Sequence, residues 1–97
     1  MSYSKQIVDT ILKHIGFEDK SKWYIGIATN IKDRLFNEHN VDENDEKLYC
    51  YKKASSENEA RDTEKYLLDN YAFKGDTGGG DNPEYVYAYK ITSETKQ

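Results

Sequence analysis

The chain has 97 residues, 36% of them hydrophobic and 33% charged, which is enough for one domain around one modest core. A net charge of -4 and a pI near 5.1 exclude a broad electrostatic grip on nucleic acid, which needs a basic surface, but leave room for a local basic cleft. The one cysteine, Cys50, excludes an internal disulfide and a cysteine-built zinc site. No apolar run approaches the roughly 20 residues of a membrane span and no signal-peptide pattern is present, so a cytoplasmic location without membrane contact is expected.

Residues 4–16 read as an N-terminal helix. Ile7, Ile11 and Ile15 stand four apart and make one apolar stripe, with Val8 and Leu12 beside it; Ser4 is the N-cap and Gly16 the stop. His14 falls beside the stripe, as a helix-end surface residue rather than a ligand. Residues 22–28 (KWYIGIA) are β-branched, aromatic and almost continuously apolar, as in a central strand. Asn30 then caps a second helix, to about Asn37 or His39, on which Ile31, Leu35 and His39 share a face. The acidic stretch from Asp42 to Glu46 is a solvated loop. Residues 47–54 form a second strand, with Cys50 as a buried thiol. Ser56 and Glu59 make a capping box for a third helix that runs to about Tyr71.

Residues 75–83 (GDTGGGDNP) read as a loop, in which Gly78, Gly79 and Gly80 either serve as a flexible crossing or form a backbone nest for an anion. Residues 84–91 alternate, with Tyr85, Tyr87, Tyr89 and Ile91 on one side and Val86 and Ala88 on the other. The nine tyrosines of the chain suit half-buried strands, where the ring packs and the hydroxyl reaches water. Residues 92–97 are a polar tail, expected to fray. The order helix, strand, helix, strand, helix, strand predicts a single α/β (α+β) domain over residues 1–97, with its core at 22–91. It should hold a small three-stranded sheet flanked by about three helices.

Four residues stand out from this framework. At about 100° per residue, Glu64 lies between Leu67 and Leu68 on the inward face of the third helix, where a carboxylate is costly unless paired, hydrated or metal-bound. The alternative is a glutamate at the edge of the stripe that pairs with Arg61 or a neighbouring lysine. Arg34 flanks the Ile31–Leu35 face, either as a surface arginine or as a bidentate phosphate clamp. His39, on the same inward face, is either a hydrogen-bonded structural residue or a base or relay. Gly26, in mid-strand, permits close approach of another group. With Tyr24 and Ala28 on its face it suggests a shallow pocket walled by Tyr24, or else Tyr24 is an ordinary packed ring.

These residues resemble the GIY-YIG nuclease superfamily. The run YIGIATNIKDR at 24–34 resembles its YIG strand with the following Asn cap and helix arginine, and His39 falls where many members carry a histidine. The run EARDTE at 59–64 resembles the helix that supplies its metal-binding glutamate. The resemblance covers roughly residues 22–71 and implies a GIY-YIG-like fold that hydrolyses DNA phosphodiester bonds with one Mg²⁺ or Mn²⁺. By that resemblance Glu64 would hold the ion, Arg34 would stabilise the pentacovalent phosphate, and Tyr24 would position or deprotonate water, with His39 beside them. Lys22, Asn30, Lys32 and Asn82 would be the nucleic-acid contacts, on DNA or less readily RNA. The chain departs from the pattern in lacking a GIY strand before YIG. The terminal strand is a candidate for the vacant sheet position, one of Tyr85, Tyr87 and Tyr89 taking over the missing tyrosine. The family's late asparagine has two candidates, Asn70 and Asn82. The missing strand and the acidic balance equally suit a catalytically inactive module that binds nucleic acid or protein. Without the resemblance, the pattern describes a small α/β interaction domain.

Overall fold

A computed structural model describes residues 3–75 and 83–96. Helix α1, Lys5–Ile15, is capped as its sequence dictates: Ser4 Oγ accepts from the Ile7 N–H at 3.2 Å, and the Gly16 N–H closes the other end on Leu12 O at 2.9 Å. A 3₁₀ turn, Lys20–Lys22, leads into β1, Trp23–Ala28. A π-helical segment follows at Asp33–Glu38, then a 3₁₀ turn at Glu46–Leu48 and β2 at Tyr49–Lys53. Helix α2, Glu57–Asn70, starts at Ser56, whose hydroxyl accepts from the Glu59 N–H. The Glu59 carboxylate returns to the N–H and hydroxyl of Ser55, one residue earlier than a capping box requires. Strands β3, Lys74–Gly75, and β4, Tyr85–Lys90, complete the sheet.

The architecture is α+β, as the order of elements predicts, with four strands rather than three. The extra one is the two-residue β3, which ends at Gly75, the first residue of the stretch that composition marks as a loop. The strand order is β2-β4-β1-β3, with β4 antiparallel to both neighbours and β3 parallel to β1. Its register pairs Tyr24 with Tyr89, Gly26 with Tyr87 and Ala28 with Tyr85, so these residues share one face.

Each face has its own core. Trp23, Ile25, Ile27, Val86 and Ala88 pack against Ile7, Val8, Ile11 and Ile15 of α1 and against Ala60 and Leu67 of α2. Full burial of such a side chain stabilises by roughly 1.5–3 kcal/mol. The tyrosine face is covered by the segment after β1, with Ile31, Leu35 and Val41 against Tyr87 and Tyr89. The tail from residue 92, expected to fray, is instead hydrogen-bonded onto this segment as far as the described Lys96. Lys96 N–H donates to His39 O at 2.7 Å and Asn40 Nδ2 donates to Glu94 O at 2.7 Å. Among the described residues no helix is long and apolar enough to cross a membrane.

Candidate functional site

The site grows from the register of β1 against β4. Tyr87 sits directly across from Gly26 and lays its ring over it; a Cβ built on Gly26 would overlap Tyr87 at Oη and Cζ. The hollow expected beside Tyr24 is therefore filled, because the absent side chain of Gly26 is the space Tyr87 occupies. Tyr24 packs against neighbouring rings. It stacks on Tyr89 with ring centroids 5.1 Å apart and leans on His39 at 5.0 Å. The Tyr87 hydroxyl lies 2.7 Å from His39 Nε2, a buried bond.

Arg34 and His39 come together through the π-helical turn. Five residues apart on an α-helix they would be about 140° apart. The wider turn instead joins them directly, with the His39 N–H donating to Arg34 O at 3.0 Å. The Arg34 guanidinium then faces the Tyr87 hydroxyl and pairs with Glu38 at 3.2 Å. Asn40, with φ 58°, turns the chain out of this segment in the left-handed region that asparagine tolerates.

Glu64 is on the inward face of α2, as its spacing predicts, and only 3% exposed. It does not reach out to solvent from the edge of the stripe. The Glu64 carboxylate acts electrostatically on Tyr87. Burial, first of all, pushes the Tyr87 phenol well above its ordinary value; Tyr24 and Glu64 add to this and Arg34 opposes it. Tyr89 is raised in the same way, by burial and then by Tyr24 and Tyr87. Tyr24, Arg34, His39, Tyr87 and Glu64 thus form one connected group, the first four packed together and Glu64 coupled to them through Tyr87.

Burial lowers the pKa of His39, and the Arg34 charge lowers it further, against the Lys96 carbonyl and Glu38, which raise it. Tyr24, Tyr87 and Tyr89 also face the ring. The unfolded chain titrates this histidine near its ordinary value of about 6.5 and below that pH binds more protons than the fold. Stability linked to His39 is therefore complete above that value and falls as pH drops toward the depressed folded value. Urea midpoints should decline from about pH 7.5 to about pH 5.5, and His39→Gln should flatten that decline. An unchanged slope in the variant would locate the titration elsewhere.

The nucleic-acid candidates are not gathered in the same way. Asn30 acts as the expected cap, its Oδ1 accepting from the Asp33 N–H at 3.1 Å. Asn30 and Lys32 share a depression of about 400 Å³ with Asp33, Phe36, Asn37 and Glu43, where the acids offset the lysine. Lys22 lies at the other end of β1, roughly 20 Å away along a six-residue strand. Asn82 and the Gly78–Gly80 stretch fall outside the described residues.

No family model, curated protein or solved structure matches this chain.

Among the described residues there is no group of three or more His, Cys, Asp or Glu side chains that could hold a metal ion. The acidic donor at the site is one buried carboxylate, Glu64, coupled electrostatically to the Tyr87 phenol. Such a donor does not make an all-protein cage, but it fits an ion that keeps most of its waters and shares a substrate phosphate, as Mg²⁺ does. Cys50 contributes nothing here: burial pushes its thiol up to about 12, leaving it inert at neutral pH. The sequence pattern missed one participant, the main-chain carbonyl of Lys96. It accepts a hydrogen bond from His39 Nδ1 at 2.6 Å, and no side-chain pattern signals a backbone acceptor.

Proposed function

We propose that the chain is a metal-assisted phosphodiesterase of the GIY-YIG type that cuts DNA. The observation that carries this reading is the convergence of Arg34, His39, Tyr24 and Tyr87 on one point of the sheet, with the buried Glu64 coupled to Tyr87. Phosphodiester hydrolysis needs a cation where charge develops on the phosphate oxygens, and a group that takes the proton of the attacking water. Arg34 supplies the first as a planar donor. The Tyr87–His39 pair suits the second: the phenol oxygen takes the proton from water while its own passes to His39 Nε2. Tyr24 holds the neighbouring ring in place and orients the water.

Tyr87 also suits the role of the tyrosine whose strand is missing before β1. Strand β4 lies antiparallel to β1 and sets the Tyr87 hydroxyl against Arg34, within the electrostatic reach of Glu64. Mg²⁺ or Mn²⁺, held by Glu64, would neutralise phosphate charge when bound; the other residues act on the water and the phosphate directly.

Purified protein with Mn²⁺ is expected to nick supercoiled plasmid, and Glu64→Gln, with its fold retained by circular dichroism, to lose that activity. Nicking that persists in Glu64→Gln would reject the assignment. The net charge of -4 favours a second reading, a module that binds without cutting. It is supported if oligonucleotides bind but no divalent ion elicits cleavage.

A further inference from the structure

The residues after β4 turn back onto the site. The Ile91 N–H donates to Lys22 O at 2.8 Å, which carries the backbone off the end of the sheet. Thr92 and Thr95 then close a small turn on each other, the Thr92 N–H donating to Thr95 Oγ1 at 3.0 Å and Thr95 Oγ1 donating to Thr92 O at 3.1 Å. Asn40 holds this turn through Glu94 O. Next to it, Lys96 brackets His39, its N–H on the histidine's carbonyl and its carbonyl on the histidine's ring. The Tyr89 hydroxyl donates to the same Lys96 oxygen at 3.2 Å, filling its second lone pair.

A carbonyl has no proton to give, so the 2.6 Å contact with Lys96 O places the ring hydrogen on Nδ1. In the neutral ring Nε2 is then a bare acceptor, and the 2.7 Å contact with Tyr87 becomes a bond the phenol donates. The remaining lone pairs of the Tyr87 oxygen are left to Arg34 and to any water or phosphate beside it. With the opposite tautomer, Nε2–H would donate to Tyr87 and the phenol could no longer pass its proton to the ring.

We infer that residues 91–96 are a positioning strap, and that the main-chain carbonyl of Lys96 holds His39 in the Nδ1–H tautomer, making Nε2 the acceptor for Tyr87. Lys96 is a positioning residue through its backbone, and its side chain is dispensable. The effect on catalysis rests on the nuclease reading; the tautomer does not.

The test is the ¹⁵N spectrum of the two histidine rings, His39 and the exposed His14, by long-range ¹H–¹⁵N correlation. At neutral pH, His39 should show a protonated Nδ1 and a bare Nε2. Lys96→Ala keeps the carbonyl and should leave the His39 signals unchanged. A chain shortened to end at Thr95 should move both His39 nitrogens toward the tautomer-averaged values of a free imidazole. Asn40→Gly keeps the left-handed backbone but loses the bond to Glu94; it should shift the signals in the same direction by less, which covers the case in which the shortened chain does not fold. A protonated Nε2 in the parent protein, or an unchanged Nδ1–H tautomer in the folded shortened chain, would overturn the inference.

If the chain nicks DNA, shortening it should lower kcat by about tenfold or more with KM retained. A tautomer that shifts as described, in a protein that cuts nothing with any ion, upholds the strap and rejects the nuclease.

Discussion

Gly26→Ala should cost about 2 kcal/mol or more of stability and displace Tyr87 from His39. At an ordinary strand position the same change would add stability, by roughly 0.5–1 kcal/mol, because alanine loses less backbone entropy on folding. The sign is reversed here by what lies above the glycine. The new methyl group would overlap the Tyr87 ring at Cζ and Oη. That ring cannot swing aside cheaply: it is 1% exposed, it stacks near Tyr89, and its hydroxyl is bonded to His39. Moving it leaves a buried phenol and a buried imidazole short of a partner. Urea unfolding gives the cost, and the His39 ring ¹⁵N signals report the broken bond. In a Tyr87→Ala background the added methyl has room, so the same substitution should be near neutral; the difference between the two backgrounds measures the coupling. A Gly26→Ala protein as stable as its parent would show that Tyr87 does not rest on this glycine.

The second large effect belongs to Arg34. On the nuclease reading, Arg34→Ala should lower kcat by on the order of 10²–10³-fold, because a preorganised donor is lost where charge develops. Stability should hardly change. Among the described residues the arginine's salt bridge is to Glu38 four residues along, with both side chains partly exposed, and such pairs contribute about 0.3–0.5 kcal/mol. Arg34→Lys should recover only a small part of the rate. A lysine restores the charge but not the planar fork that can hold a phosphate oxygen and face the Tyr87 hydroxyl together. Single-turnover nicking with Mn²⁺ separates the rate from binding. Full activity in Arg34→Ala would remove the arginine from the chemistry and leave Tyr87 and His39 as a structural pair.

The apolar spacing of α1, its Ser4 and Gly16 caps, and the alternation of β4 were legible because each is a local rule, satisfied within a turn or along a strand. The inward placement of Glu64 was legible for the same reason, since one helix face decides it. What was not legible depends on partners distant in sequence. Gly26 announced an approach but not the approaching group, and Tyr87, 61 residues later, is fixed there by strand register alone. The spacing of Arg34 and His39 argues against a shared side of an α-helix, and only the π-helical turn overrides it. Residues 92–96 are polar and lack a periodic stripe, so composition predicts fraying; their hold comes largely from main-chain bonds, which composition does not record.

Strand β4 comes last of the strands in the chain but lies between β1 and β2 in the sheet. Until it arrives, β2 has no strand beside it and β1 has only the two residues of β3. Helices α1 and α2 form by local contacts on their own clock, but the surface they are to cover waits for the C-terminal third of the chain. Closing that sheet joins residues far apart in sequence, which slows folding relative to a chain of the same size built from hairpins. On the ribosome the consequence is sharper. The nascent protein carries two unmatched strand edges until residue 90 has cleared the exit tunnel, so the sheet cannot close before then.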